Sequence, residues 1–222
     1  MAYINPGPNP SQTVYFVDDF IASNTLSVLG WGTQTGGGGS ISAQTVLDNG
    51  HPGVIDMNAP AAFANSAIFL FNTIIPGGGA IETDYVCKLS NLSVAADRYH
   101  ALIGFTSGST EAIANGIYFR YQDNANSGNW QLISVASSVA TTVNSSIAAD
   151  TNWHHFTIKI NAAASSVTGF IDGVSVGAAI TTNIPAILSP QVFIENNGAS
   201  TSAARHLYLD LFYINQFLTT TR

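Results

Sequence analysis

The sequence predicts an all-β protein, an antiparallel β-sandwich preceded by an extended N-terminal arm. Apolar and polar residues alternate with the period of a strand in many short segments, and turn residues separate those segments. No apolar pattern with the period of a helix persists for three turns. The pattern therefore favours two packed sheets over a helical or mixed fold.

The clearest strand signals lie between residues 152 and 176. Alternation from 153 to 160 predicts a strand with one buried face and one solvent face. The pair Asp172-Gly173 suits a two-residue turn that needs positive φ, so residues 167–171 and 174–176 are predicted to form a hairpin.

The other strands follow from shorter patterns along the chain. They are predicted at 13–20, 80–89, 101–105, 116–122, 130–135, 191–195 and 205–217, with an exposed strand or a long loop at 137–146. The run Gly36 to Gly39 is predicted to be a flexible loop. The last strand is apolar on both sides, and simple alternation gives it two faces: Leu207, Leu209, Leu211 and Tyr213 on one, and Tyr208, Asp210, Phe212 and Ile214 on the other.

Residues 1–13 are predicted to form an arm without a core of its own, because three prolines alternate with Gly and Asn. We expect the arm either to lie on a neighbouring molecule or to fold back on its own domain. If it mediates assembly, the contacts come from Tyr3, Ile4, Pro6, Pro8 and Pro10. Residues 14–222 are predicted to form one sandwich domain.

The amino-acid composition limits the classes of molecule that the protein is expected to bind. Charged residues are 9% of the chain and the net charge is −7, with six basic residues spread singly, so nucleic acid is not an expected ligand. The opening MAYINPGPNPS does not have the pattern of a signal peptide, and no apolar run has the length of a membrane span. Cys87 is predicted to be a buried free thiol. These features suit a protein made in the cytoplasm and later exposed, as a virion component is.

Two short patterns resemble a known superfamily. The late strands carry a Trp-His pair and an apolar strand that ends in Asp-Gly-Val, and the N-terminal part carries Asp18-Asp19-Phe20 followed by Trp31-Gly32. Both resemble the concanavalin A-like and laminin-G-like jelly rolls, which include lectins, glucanases and modules of phage virion proteins. The matching residues of the late strands are Trp153, His154, Ile158, Phe170, Asp172, Gly173 and Val174.

The resemblance implies a non-enzymatic virion structural protein, either a capsid decoration (cement) protein or a fibre or spike surface protein. Its partners would be other capsid or tail proteins, and the resemblance implies a homo-oligomer, with a trimer as the expected form. The alternative is a lectin-like receptor-binding module of a tail fibre that recognises a host-surface glycan. Neither hypothesis involves membrane insertion.

Catalysis is not expected. Glucanases of the superfamily place a nucleophile and an acid on one strand, and the retaining reaction needs two carboxyl groups about 5 Å apart. Glu82 and Asp84 match the start of that motif, but Val86 and Cys87 stand where the second Glu is needed. Both acids are more simply interpreted as solvent-facing residues of a half-buried strand.

Two binding sites are suggested by residue type around one loop. Trp130, Tyr121 and Tyr118 are candidate platforms for a carbohydrate, unless they belong to the core. Calcium is the one cofactor considered, with Asp123, Asn124 and Asn126 as ligands, although a turn held by Asn side chains explains the same residues. Zinc is not expected, because the adjacent His154 and His155 point to opposite faces of a strand.

Overall fold

The computed structural model of the chain describes residues 12–20, 30–44, 50–60, 64–70, 74–107, 112–196 and 205–219. The assembly residues predicted in the arm, Tyr3, Ile4, Pro6, Pro8 and Pro10, lie outside the described residues, so the role of the arm stays a prediction. Among the described residues the only helical segment is a single 3-10 turn at Asn126–Gly128. None of them forms a helix with the length and apolar character needed to cross a bilayer.

The predicted fold class is confirmed, since the strands form two antiparallel sheets packed as a sandwich. The strands are β1 (Thr13–Asp18), β2 (Trp31–Gly36), β3 (Ser40–Gln44), β4 (Val54–Ala59), β5 (Asn65–Leu70), β6 (Gly79–Leu89), β7 (Tyr99–Thr106), β8 (Gly116–Gln122), β9 (Asn129–Ala136), β10 (Val139–Ala148), β11 (Trp153–Ile160), β12 (Val167–Ile171), β13 (Val174–Ser175), β14 (Pro190–Asn196) and β15 (Arg205–Leu218). In the part of the chain that the structure describes, sheet A has eight strands in the order β13-β12-β11-β6-β15-β4-β3, with β1 also paired to β15. Sheet B has seven in the order β10-β9-β8-β7-β14-β5-β2.

The core between the sheets is rich in aromatic rings. Trp130 and Phe156, from opposite sheets, are each about 1% exposed and meet edge to face with ring centroids 4.7 Å apart. Trp31 lies in a second group of rings, 5.2 Å from Phe212 and 5.6 Å from Phe20. Burial of each large apolar side chain stabilises the folded state by about 1.5–3 kcal/mol, so these contacts between the sheets stabilise the sandwich.

The hairpin predicted after residue 152 is confirmed. β11 buries Phe156, Ile158 and Ile160 and exposes His155 and Lys159 on the other face, where Thr157 is also buried. Asp172 and Gly173 have φ of 51° and 78°, as a two-residue turn of the primed type requires. β6, the neighbour of β11, alternates strictly between buried and half-buried residues along its whole length.

The faces predicted for the last strand are wrong beyond Leu209. The pairing of β15 with β6 shifts between Leu209 and Leu211, so the strand contains a β-bulge at Asp210. The bulge inverts the alternation, and Phe212 and Ile214 join Leu209 in the core. The strand looked apolar on both faces in the sequence because the core residues before the bulge have odd numbers and those after it have even numbers.

The predicted flexible loop at Gly36 to Gly39 is a tight corner instead. Gly36 ends β2 in sheet B, the Gly39 backbone N–H donates to its carbonyl at 2.9 Å, and β3 in sheet A begins at once. A Cβ on Gly39 would lie 2.0 Å from the Asn65 backbone oxygen. Glycine is needed here because the chain crosses between the sheets in contact with β5.

Candidate functional site

An open groove of about 260 Å³ lies on the outer face of sheet A, where β6, β11, β12 and β15 run side by side. We call it the sheet A groove. Its walls combine backbone, apolar, hydroxyl, amide and charged groups from Ala80, Ile81, Glu82, Lys159, Ile160, Asn161, Ser166, Thr168 and Phe217.

The polar floor of the groove follows from strand register. Lys159 on β11 is paired with Glu82 on β6 at one side and with Thr168 on β12 at the other. Residues opposite each other in a sheet project to the same face, so the three side chains form one row across three strands. The row points outward because Ile81 and Ile160, next to it in sequence, are core residues.

The turn between β11 and β12 closes one end of the groove. The Asn161 side-chain oxygen accepts hydrogen bonds from the backbone N–H groups of Ser165 and Ser166 at 2.8 and 3.1 Å, and its nitrogen donates to the Ser165 hydroxyl at 2.9 Å. This arrangement fixes the turn with local bonds. Fixed polar groups at the end of a groove lose little entropy when a ligand binds.

The charged pair in the groove is open to solvent. Lys159 Nζ lies 2.8 Å from Glu82 Oε1, and the two side chains are 48% and 38% exposed. The hydrogen bond to Glu82 raises the pKa of Lys159, so the ammonium stays charged at neutral pH. A pair this exposed contributes at most about 1 kcal/mol to the stability of the fold. Lys159 and Glu82 can therefore separate and each bind a ligand group at a small cost in free energy.

An exposed aromatic ring adjoins the charged pair. Phe217 near the end of β15 is paired with Ala80 and keeps 48% of its surface exposed. The Phe170 ring lies close by, with Lys159 Nζ 5.8 Å from its centroid. Apolar rings next to hydroxyl, amide and charged groups can stack on the C–H face of a sugar while the polar groups meet its hydroxyls.

The next row of the same face holds the second carboxylate. Asp84 Oδ1 accepts from the Thr157 hydroxyl at 2.5 Å and lies 3.0 Å from His155 Nε2. Asp84 is therefore held by groups of the sheet, as Glu82 is held by Lys159. The arrangement supplies fixed acceptors and donors for binding.

The predicted aromatic platform is wrong, because all three rings are buried. Trp130, Tyr121 and Tyr118 are 1%, 2% and 5% exposed. Trp130 and Tyr121 lie in the core between the sheets, and the Tyr121 hydroxyl accepts from the Ser93 backbone N–H at 2.9 Å. Tyr118 belongs to an apolar cluster on the other face of sheet B, which includes Phe193. None of these rings can stack on a ligand at the surface.

The loop proposed for calcium is held by contacts within the protein. Arg98 donates to both carboxylate oxygens of Asp123, at 2.8 and 3.0 Å, and Ser93 donates to one of them at 2.7 Å. The guanidinium lowers the pKa of Asp123. The Asn126 side-chain nitrogen donates to the backbone oxygens of Trp130 and Ser145, so the alternative of a turn held by Asn explains this residue. Asn124 is exposed beside them.

The adjacent histidines His154 and His155 contact different carboxylates. His154 and His155 point to opposite faces, as predicted: His154 lies between Asp172 and Asp150 at 2.6 and 2.9 Å, and His155 contacts Asp84. Within the residues that the structure describes, no group of three or more His, Cys, Asp or Glu side chains could hold a metal ion.

The groove could not be predicted from the positions of aromatic residues near loops. Alternation along residues 153–160 puts Lys159 on the solvent face, but its neighbours on other strands depend on strand register. The turn at 161–166 joins β11 to β12 and so sets which β12 residue faces Lys159, and its residue types do not specify that register. The pairing with β6 and β15 joins residues far apart in the sequence and leaves no local signal.

Comparison with known proteins gives a family and a fold. A family model described as the SO2946-like C-terminal domain matches residues 50–210, more than half of the chain. A search of curated protein sequences finds no match.

Three solved structures share the architecture. The protein of unknown function SO2946 from Shewanella oneidensis MR-1 has a TM-score of 0.67 at 17% identity, over 95% of this chain and 89% of that one. The carbohydrate recognition domain of Emp47p has a TM-score of 0.63 at 10% identity, over 96% and 100%. The carbohydrate esterase vb_24B_21 from the Shiga toxin-encoding bacteriophage phi24B has a TM-score of 0.55 at 14% identity, over 93% and 97%. At these identities the likeness shows the lectin-like, concanavalin A-like fold.

Proposed function

The chain belongs to the SO2946-like C-terminal domain family, and we propose that it is a non-enzymatic carbohydrate-binding module that holds its ligand in the sheet A groove. The observation that carries the proposal is the half-exposed Phe217 ring beside the exposed pair of Glu82 and Lys159. The similarity to the Emp47p carbohydrate recognition domain supports it at the level of the fold.

The chemistry of the groove suits a ligand with many hydroxyl groups and one apolar face. The Glu82 carboxylate accepts hydrogen bonds from adjacent sugar hydroxyls, and Lys159 donates to a hydroxyl or ring oxygen. Thr168 and Asn161 add neutral donors and acceptors at the rim. Phe217 then covers the C–H face of the sugar ring.

The proposal is tested on a glycan array, followed by calorimetry with any glycan that binds. Phe217→Ala removes the ring, and we expect the dissociation constant to rise about 2- to 10-fold, as expected for the loss of one aromatic contact of about 0.5–1.5 kcal/mol. Lys159→Met removes the donor and keeps most of the side-chain volume, and we expect a similar loss. Val94→Ala is the control, because Val94 is 52% exposed and lies outside the groove. Unchanged affinity in both groove variants would remove the groove from the proposal.

Binding without hydrolysis is part of the proposal. Glu82 is paired with Lys159, and Asp84 is held by Thr157 and His155, so neither carboxylate is arranged as a nucleophile facing an acid. Incubation with laminarin and related glucans should release no new reducing ends. Release that disappears in Glu82→Gln would identify an enzyme.

A virion surface is the location that we propose for this module. Support comes from the sparsely charged composition and from the fold shared with a bacteriophage protein. Mass spectrometry and antibody labelling of purified particles test the location, and they separate a capsid decoration from a tail fibre. A chain that is absent from purified particles would end this part of the proposal.

A further inference from the structure

Among the described strands β10 pairs only with β9, so it is an open edge strand at one end of sheet B. Ser137 and Ser138 have φ of 50° and 65° and form the two-residue turn between these strands. In such a hairpin the pair next to the turn is hydrogen-bonded, and bonded pairs then alternate with unbonded ones. The N–H and C=O groups of Ala140, Thr142 and Asn144 therefore point away from β9.

Nothing in the described part of the chain occupies these outward groups. No backbone hydrogen bond from outside the hairpin reaches Ala140, Thr142 or Asn144, and all three residues are exposed. An edge strand with such groups is a template for another strand. The partner that fits is therefore a strand.

The usual protection of an edge strand is missing over most of β10. Proteins block open edges with charged residues, proline, bulges or covering loops. Residues 124–149 contain no charged residue and no proline. The pairing is irregular only between Asn144 and Ala148, so Val139 to Asn144 form a regular, uncharged edge.

The surface beside this edge is also uncharged. Residues 173–194 contain no charged residue. They lie against β10 where the Asn183 side chain donates to the Thr141 hydroxyl at 2.9 Å, and Ile187 in this segment is 62% exposed. Two chains of net charge −7 repel each other, and the repulsion is weakest where two uncharged surfaces meet. Depletion of charge is also typical of the centre of protein interfaces.

We propose that a second copy of this chain pairs with β10 through its own β10, antiparallel and about a twofold axis at Thr142. Thr142 then faces its counterpart, and Ala140 faces Asn144 of the other copy. Each of these pairs exchanges two backbone hydrogen bonds, about six in total, and the two sheets B become continuous. The edge is self-complementary, as a twofold interface requires.

Cysteine cross-linking tests the register directly. Across a hydrogen-bonded antiparallel pair the Cα atoms are about 5.5 Å apart, which a disulfide can span. Thr142→Cys should therefore give a covalent dimer on mild oxidation. Thr33→Cys is the matched control, because Thr33 is exposed on β2, the opposite edge strand of sheet B. The native thiol of Cys87 is buried and should not react. Absence of the Thr142→Cys dimer, or an equal yield in both variants, would overturn the proposal.

Sedimentation velocity tests the association without a cross-link. The 23.3 kDa chain should sediment with twice its mass, and a species of three times its mass, or a monomer at about 100 µM, would contradict the proposal. Thr142→Lys places like charges opposite each other and should raise the dissociation constant by about tenfold or more, whereas Thr33→Lys should not.

Two further variants distinguish pairing through β10 from other causes of dimerisation. Thr142→Pro removes one outward donor and no bond to β9, so it should weaken the dimer and leave the circular dichroism spectrum of the monomer unchanged. Deletion of residues 1–11 should leave the dimer intact. Loss of the dimer on that deletion, with Thr142→Lys still dimeric, would assign assembly to the arm and overturn the proposal.

Discussion

The hydrogen bond between Asp18 and Trp31 joins the two sheets, and its removal should have a measurable cost. Asp18 ends β1 in sheet A, and its carboxylate accepts from Trp31 Nε1 at 2.8 Å and from the Phe20 backbone N–H at 2.9 Å. Trp31 begins β2 in sheet B and is 1% exposed. Trp31→Phe removes the indole N–H and leaves one oxygen of a buried carboxylate without its partner.

The expected loss has two parts. A hydrogen bond to a charged group contributes about 1.5–3 kcal/mol, and the smaller ring leaves a cavity that costs about 1 kcal/mol. We therefore expect Trp31→Phe to lower the free energy of unfolding by about 3 kcal/mol, measured by urea denaturation followed by circular dichroism.

Trp130→Phe is a matched control for this substitution. Trp130 is also 1% exposed, but its Nε1 has no hydrogen-bond partner among the residues that the structure describes. The same change of ring should therefore cost only about 1 kcal/mol or less, because the cavity is offset by the loss of an unsatisfied N–H. Equal losses at the two positions would show that the bond to Asp18 adds nothing, and the reasoning would be wrong.

Three other perturbations have definite expected outcomes. Burial alone would lower the pKa of His154, but its two flanking carboxylates raise the pKa above its usual value. The protonated imidazole therefore stabilises the folded state fully below the pKa of the unfolded state, and this stabilisation is lost as the pH rises through the pKa of the folded state. His154→Gln should thus lower the melting temperature more near about pH 5 than near about pH 9. Gly39→Ala should lower the free energy of unfolding by about 2 kcal/mol or more in urea denaturation, since the new Cβ would meet the Asn65 oxygen at 2.0 Å. Calcium at about 5 mM should shift the melting temperature by less than about 1 °C, because Arg98 already occupies the Asp123 carboxylate, and a larger rise would indicate a bound ion.

Local alternation predicted β1 and the strands from β6 onward, because each of these carries its own pattern, whereas β2, β3, β4 and β5 were not predicted as strands. The hairpin at Asp172-Gly173 and the β6 strand needed no knowledge of distant residues. The DDF and WG patterns were noted only as a resemblance, yet they contain the Asp18 and Trp31 pair that bonds across the sheets. A residue pattern can thus mark a contact before its geometry is known.

The features that depend on pairing could not be predicted from alternation. The bulge at Asp210 exists only relative to β6, so a strict period of two placed Phe212 on the wrong face. Trp130 and Tyr121 were near a polar loop in sequence, but the strands that carry them turn both rings inward. Residue type suggested a binding platform, and the direction of the side chain decided against it.

The groove and the β10 edge lie on different sheets, and this has a consequence for binding. The groove opens on the outer face of sheet A across β6, β11, β12 and β15, whereas a second copy would extend sheet B. Pairing through β10 would therefore leave both grooves open, and the dimer would present two identical sites. Single carbohydrate contacts are weak, but two linked sites bind a surface with repeated glycans about 10²–10⁴ times more tightly than one.

Thr142→Lys should then reduce binding to an immobilised multivalent glycan while leaving calorimetric binding of a short soluble glycan unchanged. Equal losses in both assays would mean that the edge and the groove are not independent.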